Sequence, residues 1–235
     1  MTDIGQNILS VKAQINDLNQ QYQQNAELLA VSKTKPKEDV ITAYHAGQRK
    51  FGENYVQEGV EKIAALQSYT DIEWHFIGPL QSNKTKPVAE YFDWVQSIDR
   101  LKIAKRLNDQ RPANKGPLNV CIQVNISNEA NKSGVVLEEL EALAQQVAQL
   151  PELKLRGLMA IPLKTHDTME LSEMFIALQK AFINLKDKYP TIDTLSMGMT
   201  ADMQLAIKNG STMVRIGTAI FGAREKPNSK KTEDL

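Results

Sequence analysis

The apolar residues of this chain recur in two different periods that alternate along the sequence. Residues 4–22 place an apolar side chain at every third or fourth position, which predicts an amphipathic helix at the start of the chain. Short apolar runs typical of buried strands then follow one another, separated by intervals long enough for a helix. Two of these intervals, 135–150 and 168–187, carry helical stripes of their own. The predicted strands cover residues 28–34, 50–55, 73–78, 94–99, 118–126, 153–161, 194–199 and 212–222.

This alternation predicts an α/β fold with an all-parallel sheet, because parallel neighbours need a crossover that is usually a helix. The strands are apolar on both faces, as expected of a sheet covered by helices, and eight strands can close a (β/α)8 TIM-type barrel. An open doubly wound sheet is the alternative, although the chain lacks the phosphate-binding motifs G-x-G-x-x-G and G-x-x-x-x-G-K. We predict one barrel over residues 1–225 with an additional N-terminal helix, and a disordered tail over 226–235.

Charge and cysteine content exclude several classes of protein. The 235 residues include 28 basic and 28 acidic side chains, so the net charge indicates neither a nucleic-acid partner nor an anionic membrane. Cys121 is the only cysteine, which excludes an internal disulfide, and its apolar surroundings indicate a small core residue. Three scattered histidines predict no metal site. No stretch resembles a signal peptide or a membrane span of roughly 18 apolar residues, so we expect a cytoplasmic protein.

The first predicted strand ends on a lysine, in the stretch LLAVSKTKP (28–36). Lys33 shares strand parity with Leu29 and Val31, so its side chain is expected on the same face as theirs. One interpretation is a lysine that extends from the barrel rim into water. The other is an amine that desolvation and nearby cations keep uncharged, so that it can condense with a carbonyl. Chemistry in such barrels lies at the C-terminal ends of the strands, where Lys33 is predicted.

Arg215 lies between two apolar residues of the last predicted strand, and a guanidinium cannot lose its charge. A salt bridge with an unidentified carboxylate would explain it, and so would an anionic ligand. Gly217 and Thr218 follow it and offer backbone N–H groups, as does the stretch 198–200 at a predicted helix N-terminus. Because phosphate is usually held after strands seven and eight of such barrels, these donors beside a reactive lysine suggest a phosphorylated carbonyl compound.

His75 lies in the middle of a predicted strand, within EWHFIGPLQSNK (73–84). One interpretation is a core histidine hydrogen-bonded to a neighbour, and the other is a group that transfers a proton. The remaining histidines, His45 and His166, are expected at the surface.

Seven segments follow one another in order at the predicted strand ends, within a region from about residue 4 to residue 224. They are AVSKTKP, FGENYVQE, WHFIGPLQSNK, NVCIQVNISNEANKSG, RGLMAIP, LSMGMTADM and MVRIGTAIFGAR. They resemble the corresponding segments of the pyridoxal phosphate homeostasis proteins, which are single-domain relatives of the alanine racemase barrel. The resemblance implies a (β/α)8 barrel that holds pyridoxal 5'-phosphate as a Schiff base, the aldimine of Lys33.

The same resemblance implies roles for further residues. Arg215 would face the pyridine nitrogen, and Asn54 and His75 would line the cofactor pocket. Lys132 matches the family's lysine near the pocket mouth, with its role left open. The phosphate would contact Ser196, Gly198, Met199, Thr200, Gly217 and Thr218.

The function implied is vitamin B6 homeostasis, by storage, buffering or delivery of the cofactor, with indirect effects on amino-acid and keto-acid pools. An arginine beside the ring nitrogen resists its protonation and makes the cofactor a poorer electron sink. Racemisation also needs a second acid/base, and the chain has no room for the domain that supplies it in alanine racemases. We therefore expect a monomeric carrier that contacts apoenzymes transiently. The alternatives are a slow racemase that uses pyridoxal phosphate, or a Schiff-base aldolase or isomerase of a phosphosugar.

Overall fold

The structure, a computed structural model, describes residues 2–127, 133–163, 165 and 167–223. Its strands are β1 (Glu27–Val31), β2 (Lys50–Glu53), β3 (Glu73–Phe76), β4 (Trp94–Ile98), β5 (Leu118–Gln123), β6 (Leu153–Met159), β7 (Thr194–Ser196) and β8 (Met213–Ile216). Its helices are α1 (Ile4–Tyr22), α2 (Lys37–His45), α3 (Val56–Ala65), α4 (Thr85–Tyr91), α5 (Leu101–Gln110), α6 (Leu137–Ala148), α7 (Thr168–Lys188), α8 (Met203–Lys208) and α9 (Thr218–Phe221). The strands are all parallel and form a closed barrel in sequence order, with β8 paired to β1. The predicted (β/α)8 barrel is confirmed.

Alternate residues of each strand face either the helices or the barrel interior. The helix-facing side chains form one large apolar cluster with the inner faces of the helices. The interior contains two smaller apolar clusters and several polar side chains between them. Their members are Leu29, Val31, Ile77 and Met213 in one cluster, and Trp94, Cys121 and Met159 in the other. Cys121 is fully buried, and burial raises the pKa of its thiol, which suits a core residue.

The predicted N-terminal helix is confirmed as α1, over the same residues. Its buried stripe, Ile4, Ile8, Val11 and Ile15, packs against α2, α8 and α9. The side chain of Asp3 caps its first turn by accepting a hydrogen bond from the backbone N–H of Gln6 at 2.9 Å. Because its neighbours flank the β8–β1 pair, α1 covers the side of the barrel where the sheet closes.

All eight strands end earlier than the sequence indicated, and two of these differences change where the candidate site residues lie. β1 ends at Val31, so Lys33 lies in the turn that follows the strand. The prediction of a strand over 212–222 is wrong in its second half, because β8 ends at Ile216 and α9 begins at Thr218. The backbone N–H of Phe221 donates to the carbonyl of Gly217 at 2.9 Å, as in a helical turn. A short apolar run does not by itself distinguish a strand from a buried helix.

Within the described ranges, no helix is both long and apolar enough to cross a membrane. The same residues contain no group of three or more side chains able to hold a metal ion. Lys132, His166 and the predicted tail over 226–235 lie outside the described residues.

Candidate functional site

Several of the predicted site residues lie where β7, β8, β1 and β2 end, at one mouth of the barrel. Arg215 of β8 is in register with Leu29 of β1. A Cβ added to Gly217 would lie 3.1 Å from the carbonyl oxygen of Val31, so the chain after β8 passes directly beside the end of β1. The half-buried Lys33 follows two residues later. The structure therefore brings the Lys33 turn and the loop after β8 together.

Arg215 is 4% exposed and is held by neutral groups. Its Nη1 donates to the carbonyl oxygen of Ser196 at 2.7 Å and to the Ser196 hydroxyl at 2.8 Å, and its Nη2 donates to the carbonyl of Ala160 at 2.8 Å. Burial lowers the pKa of Arg215 to about 10, so the guanidinium is charged at neutral pH. No carboxylate of the described residues forms a salt bridge with it, so the salt bridge considered from sequence is not found there.

A chain of hydrogen bonds crosses the barrel interior from Arg215 to Glu73. The Ser196 hydroxyl donates to Gln96 Oε1 at 2.7 Å, and Gln96 Nε2 donates to His75 Nδ1 at 2.9 Å. Because an amide nitrogen only donates, Nδ1 of His75 accepts and its Nε2 carries the hydrogen, which goes to Glu73 Oε1 at 2.8 Å. Every group in this interior chain therefore donates toward Glu73.

His75 is fully buried, and both of its ring nitrogens are used in the interior chain. Its ring stacks on Trp94 with 5.0 Å between centroids. Burial lowers the pKa of His75, against the opposing effect of the hydrogen bond with Glu73, so the ring is neutral at neutral pH. His75 is connected to the barrel mouth through Gln96 and Ser196.

Two of the predicted anion donors already have acceptors in the protein. The single hydroxyl proton of Ser196 points to Gln96, and the backbone N–H of Met199 donates to Asp202 Oδ1. The prediction of a helix N-terminus at 198–200 is wrong, because α8 begins only at Met203. Burial raises the pKa of Asp202, and the Met199 N–H opposes that rise. Asp202, which was not among the predicted site residues, therefore binds the backbone of the loop after β7.

The other predicted donors differ in exposure. Gly198 is buried with φ +97°, and a Cβ there would lie 2.5 Å from the Cβ of Ala206, so both conformation and packing against α8 require glycine. Met199, Thr200 and Thr218 are exposed and accessible to a ligand.

Asn54 directly follows β2 and contains a buried acceptor. Its Oδ1 has no hydrogen-bond partner among the described residues. Its backbone is in tight contact with Gly78, where an added Cβ would lie 2.1 Å from the Asn54 carbonyl oxygen. An unpaired buried acceptor is costly unless water or a ligand supplies a donor, so this atom is consistent with a polar ligand at the mouth.

Gln96, Glu73 and Asp202 were not among the predicted site residues. Gln96 had a usable signal, because it is a polar residue inside the apolar run WVQSID at an interior-facing position. Glu73 and Asp202 lie at element ends, where acidic residues are common and carry little information.

The chain is similar to known proteins over nearly its whole length. Residues 7–225 match the family described as alanine racemase, N-terminal domain. The chain is 57% identical over 230 residues to the pyridoxal phosphate homeostasis protein of Escherichia coli K12, covering 96% of this chain and 98% of that protein. It is 60% identical over 211 residues to the protein of the same name from Haemophilus influenzae, covering 88% and 89%. The solved structure of PipY from Synechococcus elongatus with PLP bound has a TM-score of 0.82 at 34% identity, covering 93% of this chain and all of that one.

The closed barrel, with Lys33 and Arg215 at the ends of β1 and β8, defines a protein of the alanine racemase N-terminal domain class. Within that class, the chain belongs to the family of pyridoxal phosphate homeostasis proteins.

Proposed function

We propose that this protein binds pyridoxal 5'-phosphate as a Schiff base with Lys33 and stores, buffers or delivers it in vitamin B6 homeostasis. The observation that carries the proposal is Arg215, a buried guanidinium with no carboxylate partner in the described residues, at the same mouth as Lys33. A buried cation of this kind is stabilised by an anionic or electron-rich ligand. The names of the relatives and the solved PipY structure with PLP bound support the same ligand.

In this proposal Arg215 faces the pyridine nitrogen, and Asn54 and His75 belong to the pocket. The phosphate lies at the loops after β7 and β8, against Gly198, Met199, Thr200, Gly217 and Thr218, and close to Ser196 at the end of β7. The exposure of Met199, Thr200 and Thr218 supports this position. When bound, the cofactor supplies an aldehyde that an amine can capture reversibly.

The proposed activity is binding without efficient turnover. A charged arginine opposite the ring nitrogen keeps that nitrogen unprotonated, which weakens the stabilisation of a carbanion. The protein would then affect amino-acid and keto-acid pools indirectly, as a cytoplasmic monomer that contacts apoenzymes transiently. Exchange of the α-proton of an L-amino acid well above the rate with free cofactor would instead indicate a racemase.

Borohydride reduction followed by peptide mapping tests the proposal. We expect a visible absorption band before reduction and the pyridoxyl label on Lys33 alone afterwards. The variant Lys33→Ala should lose the label, whereas Lys37→Ala, at the exposed start of α2, should keep it. A label on another lysine, or none in the parent, would contradict the assignment.

A further inference from the structure

Both chain neighbours of Lys33 are hydrogen-bonded to a largely buried group of charged residues from α3 and β2, on the outside of the barrel. Lys62 of α3 is 6% exposed, and its Nζ donates to the carbonyl of Ser32 at 2.7 Å. The Ser32 hydroxyl donates to Glu53 Oε1 at 2.6 Å. On the other side of Lys33, the backbone N–H of Thr34 donates to Glu58 Oε1 at 2.6 Å.

The three charged residues also bind one another. The Nζ of Lys62 lies 2.8 Å from Glu53 Oε1 and 2.7 Å from Glu58 Oε1. We call Lys62, Glu53 and Glu58 the ionic clamp. Glu53 faces away from the barrel interior, since it is in register with the helix-facing Phe76. The ionic clamp therefore contacts the Lys33 turn from the helix side of the barrel wall, not from the barrel interior.

The turn that the clamp holds is conformationally unusual. Thr34 has φ +61°, a left-handed conformation that β-branched residues rarely adopt. The turn closes with a hydrogen bond from the Lys35 N–H to the Ser32 carbonyl at 3.1 Å. The carbonyl of Ser32 is thus shared between this turn and Lys62, and the N–H of Thr34 is directed to Glu58. Such a conformation persists when surrounding groups enforce it.

We infer that the ionic clamp positions the Lys33 amine for Schiff-base formation by fixing the backbone on both sides of it. Lys62, Glu53 and Glu58 are positioning residues in this inference, because they act on the reacting nitrogen only through Ser32 and Thr34. The inference rests on the proposed function. It adds that the amine's direction and the anion site are set independently, since the clamp's hydrogen bonds to the described residues reach the turn and not Arg215.

The variant Glu58→Ala tests this inference, because Glu58 is partly exposed and its loss leaves the buried Lys62–Glu53 pair intact. Cofactor-free protein is mixed with pyridoxal 5'-phosphate, and growth of the Schiff-base absorbance gives the rate. We expect the rate to fall about 10-fold to 100-fold, since small misplacement of a reacting group has effects of this size. Binding of pyridoxine 5'-phosphate, which lacks the aldehyde, should change by less than about twofold.

Two further variants serve as controls. Glu58→Gln keeps an oxygen that accepts from the Thr34 N–H and should recover most of the parent rate. Glu61→Ala lies on the same helix, where Glu61 accepts from Gln57 rather than from the turn, and should behave as the parent does. All variants are first shown to be folded by circular dichroism.

A parent-like rate in folded Glu58→Ala would overturn the inference. So would an equal loss of Schiff-base rate and of pyridoxine 5'-phosphate binding, which would indicate a general structural role. A parent protein that forms no Schiff base would instead contradict the proposed function.

Discussion

Arg215 and the Lys33 turn lie at the same mouth of the barrel but are held by different kinds of partner. Arg215 is bound from within the barrel by two carbonyls and a hydroxyl, all neutral. The turn is bound from outside by an ammonium and two carboxylates. Neutral partners orient a cation without cancelling its charge, whereas the ionic clamp uses ion pairs among its own members and fixes backbone geometry. The difference suggests two roles: Arg215 keeps a positive charge at the mouth, and the ionic clamp fixes the direction in which the Lys33 side chain leaves the turn.

The largest effect is expected from Lys62→Met, which removes the cation of the ionic clamp and leaves Glu53 buried without it. Burial already raises the pKa of Glu53, with Lys62 as the main opposing influence. We expect a loss of about 3–5 kcal/mol in the free energy of unfolding, measured with urea. The matched variant Lys86→Met removes an exposed pair with 3.8 Å between Lys86 Nζ and Glu90, and should cost no more than about 0.5 kcal/mol. Equal losses of unfolding free energy in Lys62→Met and Lys86→Met would mean that Lys62 does not stabilise buried Glu53.

Gln96→Met should have the next largest effect, because it interrupts the interior chain with a side chain of similar size. The Ser196 hydroxyl loses its acceptor and His75 Nδ1 loses its donor. We expect a loss of about 2–4 kcal/mol in the free energy of unfolding, measured with urea. Gln57→Met, at an exposed position of α3, is the control and should be nearly neutral. A neutral Gln96→Met would show that the interior chain does not contribute to stability.

His75 predicts a pH dependence of stability. Its pKa is lowered in the folded protein by burial, so the unfolded chain takes up this proton first as the pH falls. The stability contributed by neutral His75 is therefore present above about pH 6.5 and is lost below it, by up to about 1.4 kcal/mol per pH unit. His75→Gln keeps a donor and an acceptor but cannot titrate, so its stability should fall less between about pH 7.5 and about pH 5.5. Urea unfolding at each pH measures the free energy of unfolding of the two proteins. Parallel plots of this free energy against pH would contradict the prediction.

The smallest effect concerns Asp202, whose negative charge acts on Arg215 through space. Asp202→Asn keeps the acceptor for the Met199 N–H and removes the charge. We expect pyridoxine 5'-phosphate to bind about two- to fivefold more tightly, because its phosphate no longer meets this carboxylate. Isothermal titration measures the change, with Asp187→Asn on the exposed face of α7 as the control. Weaker binding in Asp202→Asn would place the phosphate away from the loop after β7.

The barrel itself was predictable because eight apolar runs separated by helix-length intervals admit few arrangements. The element ends were less so. Ile220 and Phe221 are buried in the structure on a short helix, yet the same apolar residues continued the pattern of β8. Whether such a run is strand or helix depends on the hydrogen bonds it makes, and these are not encoded in its hydrophobicity.

Lys33 and Arg215, charged residues that end or interrupt apolar runs, lie at the same barrel mouth, as their sequence positions predicted, and their roles stay predictions. The ionic clamp had no comparable signal. Glu58 and Lys62 are four residues apart on an amphipathic helix, a spacing that usually describes an exposed ion pair. Only the tertiary packing of α3 against β2 and β3 buries Lys62 of this pair.

The one-way interior chain also affects how protons could cross the barrel. Gln96 stands in the middle of it, and an amide does not readily accept a proton on oxygen while releasing another from nitrogen. A proton at Glu73 on the far face therefore has no easy path to Ser196 and Arg215. The row of side chains therefore fixes the orientation of its members without conducting protons, and Arg215 keeps its charge at neutral pH because its pKa is about 10.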